Sequence, residues 1–243
     1  MRRWDPSPGR LILVVALGAV LVSGCGTSGP ATSAPVTSAA ATGSASGSAT
    51  LGSSAPGGSN GPATPRLAGA YSLTLPAGWR SVQIGSNYAA IAAAYNAVNL
   101  RFATSLASQL LALPKSASTY AYDESDATVR SGALVALTVT EVVLPATVSL
   151  DAFSGEIGRQ VSLLVETPVQ PQRIQTASGP ADQYLYQAPL NTSAAGTEVA
   201  AITQVLLVAP GRGYVLTFGT APARAATDAP VFARIASSFA LIP

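Results

Sequence analysis

Residues 26–66 are almost entirely glycine, serine, threonine, alanine and proline. A run so poor in large apolar side chains cannot bury enough surface to offset the entropy of ordering it, so it reads as a flexible tether. As a random coil of about 40 residues it spans roughly 35 Å on average. Folding is thereby confined to residues 67–243. That stretch is long enough for one domain with a real core, and no internal repeat divides it.

Residues 1–24 follow a different grammar. Arg2, Arg3 and Arg10 stand before an apolar stretch at 11–22, followed by Ser23, Gly24 and Cys25, the only cysteine. Twelve apolar residues are too few for a bilayer core, which takes about 20 in a helix, and fit the roughly 7–15 of a secretory signal. A cysteine placed directly after small residues at the cleavage point resembles the lipobox of bacterial lipoproteins. The resemblance implies that residues 1–24 are removed. Cys25, carrying palmitate-type acyl chains, then becomes the mature N-terminus on the outer face of the cytoplasmic membrane. A free thiol exported to an oxidising compartment would otherwise be reactive. An uncleaved anchor helix is the alternative. Arg2-Arg3 reads as ordinary leader charge, because its flanks do not complete a twin-arginine pattern.

The leader distorts the charge balance. It holds three of the 13 basic and one of the 11 acidic residues, so 10 of each remain and the mature chain is neutral. No lysine or arginine cluster points to nucleic acid or to an anionic membrane patch. Charged residues make up only 10% of the chain, against about 25% in ordinary domains. That suits a protein tethered near a membrane or wall. There is no histidine. The commonest general base and metal ligand is therefore missing, and Ser-His-Asp, Cys-His and histidine-containing zinc sites are excluded.

Periodicity in residues 67–243 predicts an α+β domain with a mainly antiparallel sheet of about six to eight strands, flanked by helices. Tyr71-Ser72-Leu73-Thr74-Leu75 alternates as a half-buried strand. Pro76-Ala77-Gly78 reads as a turn with proline second and glycine fourth, and Trp79 as a core anchor before a returning strand at 81–84. Residues 87–112 read as a helix, with Ser86 or Asn87 as cap and a break near Asn96 or Asn99. Tyr88, Ile91, Tyr95, Val98, Phe102, Leu106, Leu110 and Leu113 form one stripe. Alanines, including Ala93 and Ala97, occupy the face where charges would normally stand. Either the helix packs on more than one side, or it borders an apolar ligand or partner.

A short strand at 120–122 and a central strand at 132–144 follow. Ser149 caps a helix at 149–165, with Leu150, Phe153, Ile157, Val161 and Leu164 as its buried stripe. Strands at 169–176, 181–187, 199–208 and 214–220 then make the C-terminal sheet, with a hairpin turn at Pro210-Gly211-Arg212-Gly213. Asp228 caps a helix at 229–238 with Pro230 in its first turn. Residues 239–242 close the chain as an apolar strap.

The Tyr71-to-Trp79 opening, the Gly213-Tyr214-Val215-Leu216-Thr217-Phe218 strand and the Phe232, Ile235, Ser237-Ser238-Phe239 ending resemble the LpqN/LpqT-type lipoproteins of actinobacteria. Those proteins are similar in fold to PsbP, an α/β/α sandwich around an antiparallel sheet. The resemblance implies an exported, membrane-anchored domain that binds partners or ligands. It supplies no catalytic residue.

Few constellations carry chemistry. Asp123-Glu124-Ser125-Asp126 lacks the glycine and terminal glutamate of a calcium loop and reads as a solvated acidic loop. Asp182 and Glu198 would form a catalytic pair only if they faced one cleft. No nucleophile elbow or phosphate loop occurs. Gly211-Arg212-Gly213 is explained by its turn, and Asn191-Thr192-Ser193 reads as loop. Tyr184 and Tyr186, either side of Leu185, read as an aromatic ligand surface or as a tyrosine pair on the outer face of a sheet. The expectation is a monomeric, non-enzymatic binding or scaffolding module of the cell envelope. It uses no metal or cofactor and binds the membrane through Cys25. Its partner is an envelope protein or a lipid. The alternatives are a carboxylate-dependent hydrolase using Asp182 and Glu198, and a carrier of an apolar ligand bordered by Ala93 and Ala97.

Overall fold

The structure, a computed structural model, describes residues 71–193 and 196–242. The leader, Cys25 and the tether lie outside the described residues. The described chain opens with β1 (Tyr71–Ser72) and β2 (Trp79–Val82), then α1 (Tyr88–Ala93), α2 (Leu100–Leu111), β3 (Ala117–Asp123), α3 (Asp126–Ser131) and β4 (Ala136–Val143). It continues with α4 (Leu150–Val165), β5 (Gln172–Thr176), β6 (Gly179–Ser193), β7 (Gly196–Ala209), β8 (Arg212–Thr220), α5 (Ala225–Ser237) and β9 (Ala240–Leu241). Seven strands form one antiparallel sheet in the order β2-β3-β4-β8-β7-β6-β5, while β1 pairs with β9 apart from it.

Alternation along the strands divides the core. On one face Leu137, Val139, Val205, Leu216 and Phe218 pack against Phe232 and Ile235 of α5. Phe218 stacks on Phe232 with ring centres 4.8 Å apart. The β1–β9 clasp belongs to this face: Tyr71 stacks on Phe239 at 5.1 Å, and its hydroxyl bonds Ser118 and Thr119 at 2.6 Å each. The opposite face carries two separate apolar clusters. Phe153, Ile157 and Val161 of α4 cover Tyr184, Tyr186, Ile202 and Leu206. Phe102, Leu106 and Leu110 of α2 cover Tyr120, Tyr122 and Ala136. The architecture is thus α+β, with helices on both faces of the antiparallel sheet.

Several local expectations need correction. The helix expected at 87–112 is two helices: α1 ends at Ala93, a turn segment follows, and Asn99 caps the start of α2. The Asn99 side chain accepts from Phe102 N at 3.1 Å, as Asn87 does from Ala90 N. The break rephases the stripe and leaves Val98 exposed. The acidic run Asp123-Glu124-Ser125-Asp126 is loop only at Glu124 and Ser125: Asp123 ends β3 and Asp126 begins α3. Ser125 stands at the N-terminus of α3, and Asp123 accepts from Ser125 N and from the Thr128 hydroxyl. The first turn is shifted by one residue: Trp79 N donates to Pro76 O, and Gly78 adopts φ 84°, which only glycine takes without strain. Asn191, Thr192 and Ser193 extend β6.

Asp228 is not the cap of α5, which begins at Ala225. It is buried in the first turn, and Arg224 donates to both its oxygens at 3.1 Å while the Thr220 hydroxyl donates at 2.6 Å. Arg224 also reaches Thr128 at 3.2 Å and so ties α5 to α3.

Candidate functional site

The site is built around α4 and the strands at the β5 edge. Ser149 starts α4 by accepting from Ala152 N at 3.2 Å. Tyr184 points up from β6 into the helix. Its hydroxyl donates to Ser154 O at 2.8 Å and meets Ser154 Oγ at 3.0 Å. The helix approaches this closely because position 158 is glycine: a Cβ there would stand 2.6 Å from the Tyr184 hydroxyl. Beyond α4, Glu166 takes a left-handed φ of 54°, and Val169 N donates back to Ser162 Oγ at 3.1 Å. Pro168 and Pro171 stiffen this return.

Between the helix, its return loop and β5–β6 lies a cleft of about 850 Å³, lined among others by Gly155, Leu163, Pro168, Arg173, Asp182 and Tyr184. Arg173 stands opposite Asp182 in the β5–β6 ladder. Its Nε donates to Asp182 Oδ1 at 2.6 Å, and Nη2 donates to Asp151 Oδ1. The Asp182 side chain is only 4% exposed, whereas that of Arg173 is 50% exposed. The carboxylate is therefore enclosed and neutralised from one side, while the Arg173 side chain, which lines the cleft, is half exposed. The two hydrogen bonds to carboxylates hold the Arg173 cation more firmly than water would. Burial pushes the Tyr184 and Tyr186 phenols up from their ordinary value, so both stay neutral; Tyr184 donates to Ser154 O, while the buried Tyr186 hydroxyl has no hydrogen-bond partner among the described residues.

The expected site residues fall in different places. Tyr184 and Tyr186 are not on an outer face. They are 1% and 8% exposed beneath α4, and Leu185 between them faces solvent. Tyr184 lines the cleft, and Tyr186 is not among its lining residues. Ala93 and Ala97 are exposed at the other end of the sheet, and neither lines the cleft. Asp182 and Glu198 are not brought together. Asp182 stands opposite Leu206, and Glu198 stands opposite Asn191, nine residues further along β6. At about 3.3 Å per residue that is roughly 30 Å. The acids of the 123–126 run serve separate partners: Asp123 serves Thr128, Glu124 accepts from Tyr95, and Asp126 pairs with Arg130. No group of three or more potential metal ligands occurs among the described residues. Sequence reasoning missed Arg173, Gly155 and Gly158. Two glycines inside a helix that ends in a proline-rich return were the available signal.

The fold is an antiparallel sheet with helices on both faces and a cleft beside one edge. No protein-family model and no curated protein matches the chain. Among solved structures it is similar to the cyanobacterial PsbP of Synechocystis sp. PCC 6803, at 14% identity over 79% of this chain and 99% of that one, with a TM-score of 0.45. It is similar to LpqN of Mycobacterium tuberculosis, described as involved in cell envelope biogenesis, at 11% identity over 71% and 83% of the two chains, with a TM-score of 0.40. The Ran-binding protein Mog1p of Saccharomyces cerevisiae gives 11% identity over 70% and 89%, with a TM-score of 0.40. At these identities and scores the likenesses assign neither a family nor an activity. Among the described residues, no helix is long and apolar enough to cross a membrane.

Proposed function

We propose that the chain is a lipid-anchored binding module of the bacterial cell envelope, and that the α4 cleft holds its ligand without catalysing a reaction. The lipobox-like run at Cys25 and the tether behind it support the location. The observation that carries the binding reading is the cleft itself. Its floor is fixed by the Tyr184–Ser154 and Arg173–Asp182 bonds, and its lining offers Leu163 and Pro168 beside the half-exposed Arg173 side chain. Such a surface suits an organic ligand with an apolar body and an acceptor group. Three acids line the cleft: Asp182 is enclosed by Arg173, Asp151 is bonded to the same arginine, and Glu166 stands in the return beyond α4, while Glu198 lies far along the sheet.

Native mass spectrometry of the protein purified from its own envelope tests this reading. A Cβ at Gly155 meets nothing within 4 Å, so Gly155→Trp fills the cleft without disturbing the core. Wild type should carry an adduct that this variant lacks. An adduct retained by the variant, or a wild type that is always bare, refutes the assignment of the cleft. Cys25→Ala tests the anchor separately. It should leave the membrane fraction, and the wild-type mass should include acyl groups.

A further inference from the structure

Residues 81–100 contain no charged side chain. They form the end of β2, the turn into α1, all of α1, and the link into α2. Their outer surface is uncharged and largely apolar, with Ser81, Gln83, Asn87 and Asn96 as its exposed polar side chains. Ile84, Ala93, Ala97, Val98 and Leu100 are all exposed, Val98 at 60% and Leu100 at 67%. Single exposed apolar residues need no explanation, whereas a contiguous uncharged set does.

The segment is also held in shape. Tyr95, in the link, donates to Glu124 Oε2 at 2.8 Å and meets the Tyr122 hydroxyl at 2.9 Å. Its ring packs edge-on against Phe102 at 5.1 Å. Asn87 and Asn99 cap the two helices.

We infer that this face seats in the bilayer that carries the Cys25 lipid. The inference rests on the lipid-anchored reading. Positions 26–70 separate the lipid from the first described residue. A chain of that length reaches at most about 160 Å even when fully extended. The domain is therefore confined to a layer of that depth above the lipid, where a weak apolar contact is enough to dock it. An uncharged face inserts into zwitterionic lipid as readily as into anionic lipid, and salt does not loosen it. The face lies over β2–β4, and the α4 cleft lies at the β5 edge. Six interstrand steps of about 4.8 Å separate the two edges, so docking displays the cleft about 29 Å along the sheet from the lipid.

The test uses the mature lipidated chain in phosphatidylcholine vesicles. Cys25 is blocked by its lipid, so Ala97→Cys and, on α5 across the sheet, Ala233→Cys each offer one thiol for an environment-sensitive dye. The dye at 97 should shift to the blue and be quenched by spin-labelled lipid, with no change in high salt. The dye at 233 should do neither. Val98→Glu with Leu100→Glu should lower the docked fraction at least about tenfold, with the acyl mass and the circular dichroism unchanged. A dye at 97 as wet as that at 233, on a chain whose mass confirms acylation, overturns the inference. So does a dye that dries with protein concentration in the absence of lipid, which would mark a second copy of the chain as the occupant. A mass without acyl groups removes the anchor reading. The docking inference, which needs that anchor, falls with it, and the wet dye on an acylated chain is the outcome that removes docking while leaving the anchor.

Discussion

Gly155 and Gly158 lie three residues apart on α4, and replacing each by alanine should have opposite effects. Alanine in a helix interior is worth about 1 kcal/mol over glycine. At Gly155 the new Cβ meets open space, so that gain should appear undiminished. For a domain of this size it raises Tm by roughly 2–4 °C. At Gly158 the same Cβ would stand 2.6 Å from the Tyr184 hydroxyl and 3.2 Å from two ring carbons. Tyr184 is buried and pinned to Ser154, so it cannot step aside freely. Overpacking of this kind costs roughly 1–3 kcal/mol, and a displaced hydroxyl loses about 1 kcal/mol more. Set against the helix gain, Gly158→Ala should destabilise by about 1–3 kcal/mol. Thermal and urea unfolding of both variants measure this directly. Adding Tyr184→Phe to Gly158→Ala should recover part of the loss, because the closest clash is with the hydroxyl. If Gly158→Ala stabilises as much as Gly155→Ala, α4 does not sit against Tyr184 as described.

Other outcomes follow from the same contacts. Arg224→Met leaves Asp228 buried with only the Thr220 hydroxyl. Breaking such a pair costs about 3–5 kcal/mol when fully buried, and with Arg224 26% exposed roughly 2–3 kcal/mol is expected in urea unfolding. Stability should be nearly level between about pH 6 and 9, since no histidine is present to titrate. It should fall above about pH 10. Burial raises the Tyr71, Tyr120, Tyr184 and Tyr186 phenols in the folded chain. The unfolded chain then releases protons that the folded one keeps, and stability drops as pH rises. Urea midpoints from pH 6 to 11 measure this, and a midpoint that holds steady past pH 10 contradicts it.

Much of the frame was legible because single residues carried it. Ser149 and the Phe153-Ile157-Val161 stripe located α4, and Pro210-Gly211 located the β7–β8 turn. Faces were harder. Alternation correctly set Tyr184 and Tyr186 on one side and Leu185 on the other, but it cannot say which side a distant helix will cover. The long β6 was shortened in prediction because Pro180 stands near its start and Asn191 near its end, two residues that favour turns. The acidic run hid α3, since Ser125 as cap and Asp126 in the first turn look like solvated loop until Thr128 is seen to bind Asp123. The cleft depended on Arg173 meeting Asp151 across 22 residues, and no local pattern announces that pairing.

The β1–β9 clasp has a mechanical meaning. In a chain held by its amino-terminal side, any drag on a bound partner enters the fold at Tyr71. That residue is wedged between Phe239 and Tyr214 and bonded to Ser118 and Thr119. The pull loads a joint of two residue pairs and one aromatic plug, not the long strands. Under tension this joint yields first, lifting the amino-terminal strand from the carboxy-terminal strap while the seven-stranded sheet keeps its register. On the proposed anchoring, the clasp is the part of the fold that gives way ahead of the cleft at the far edge.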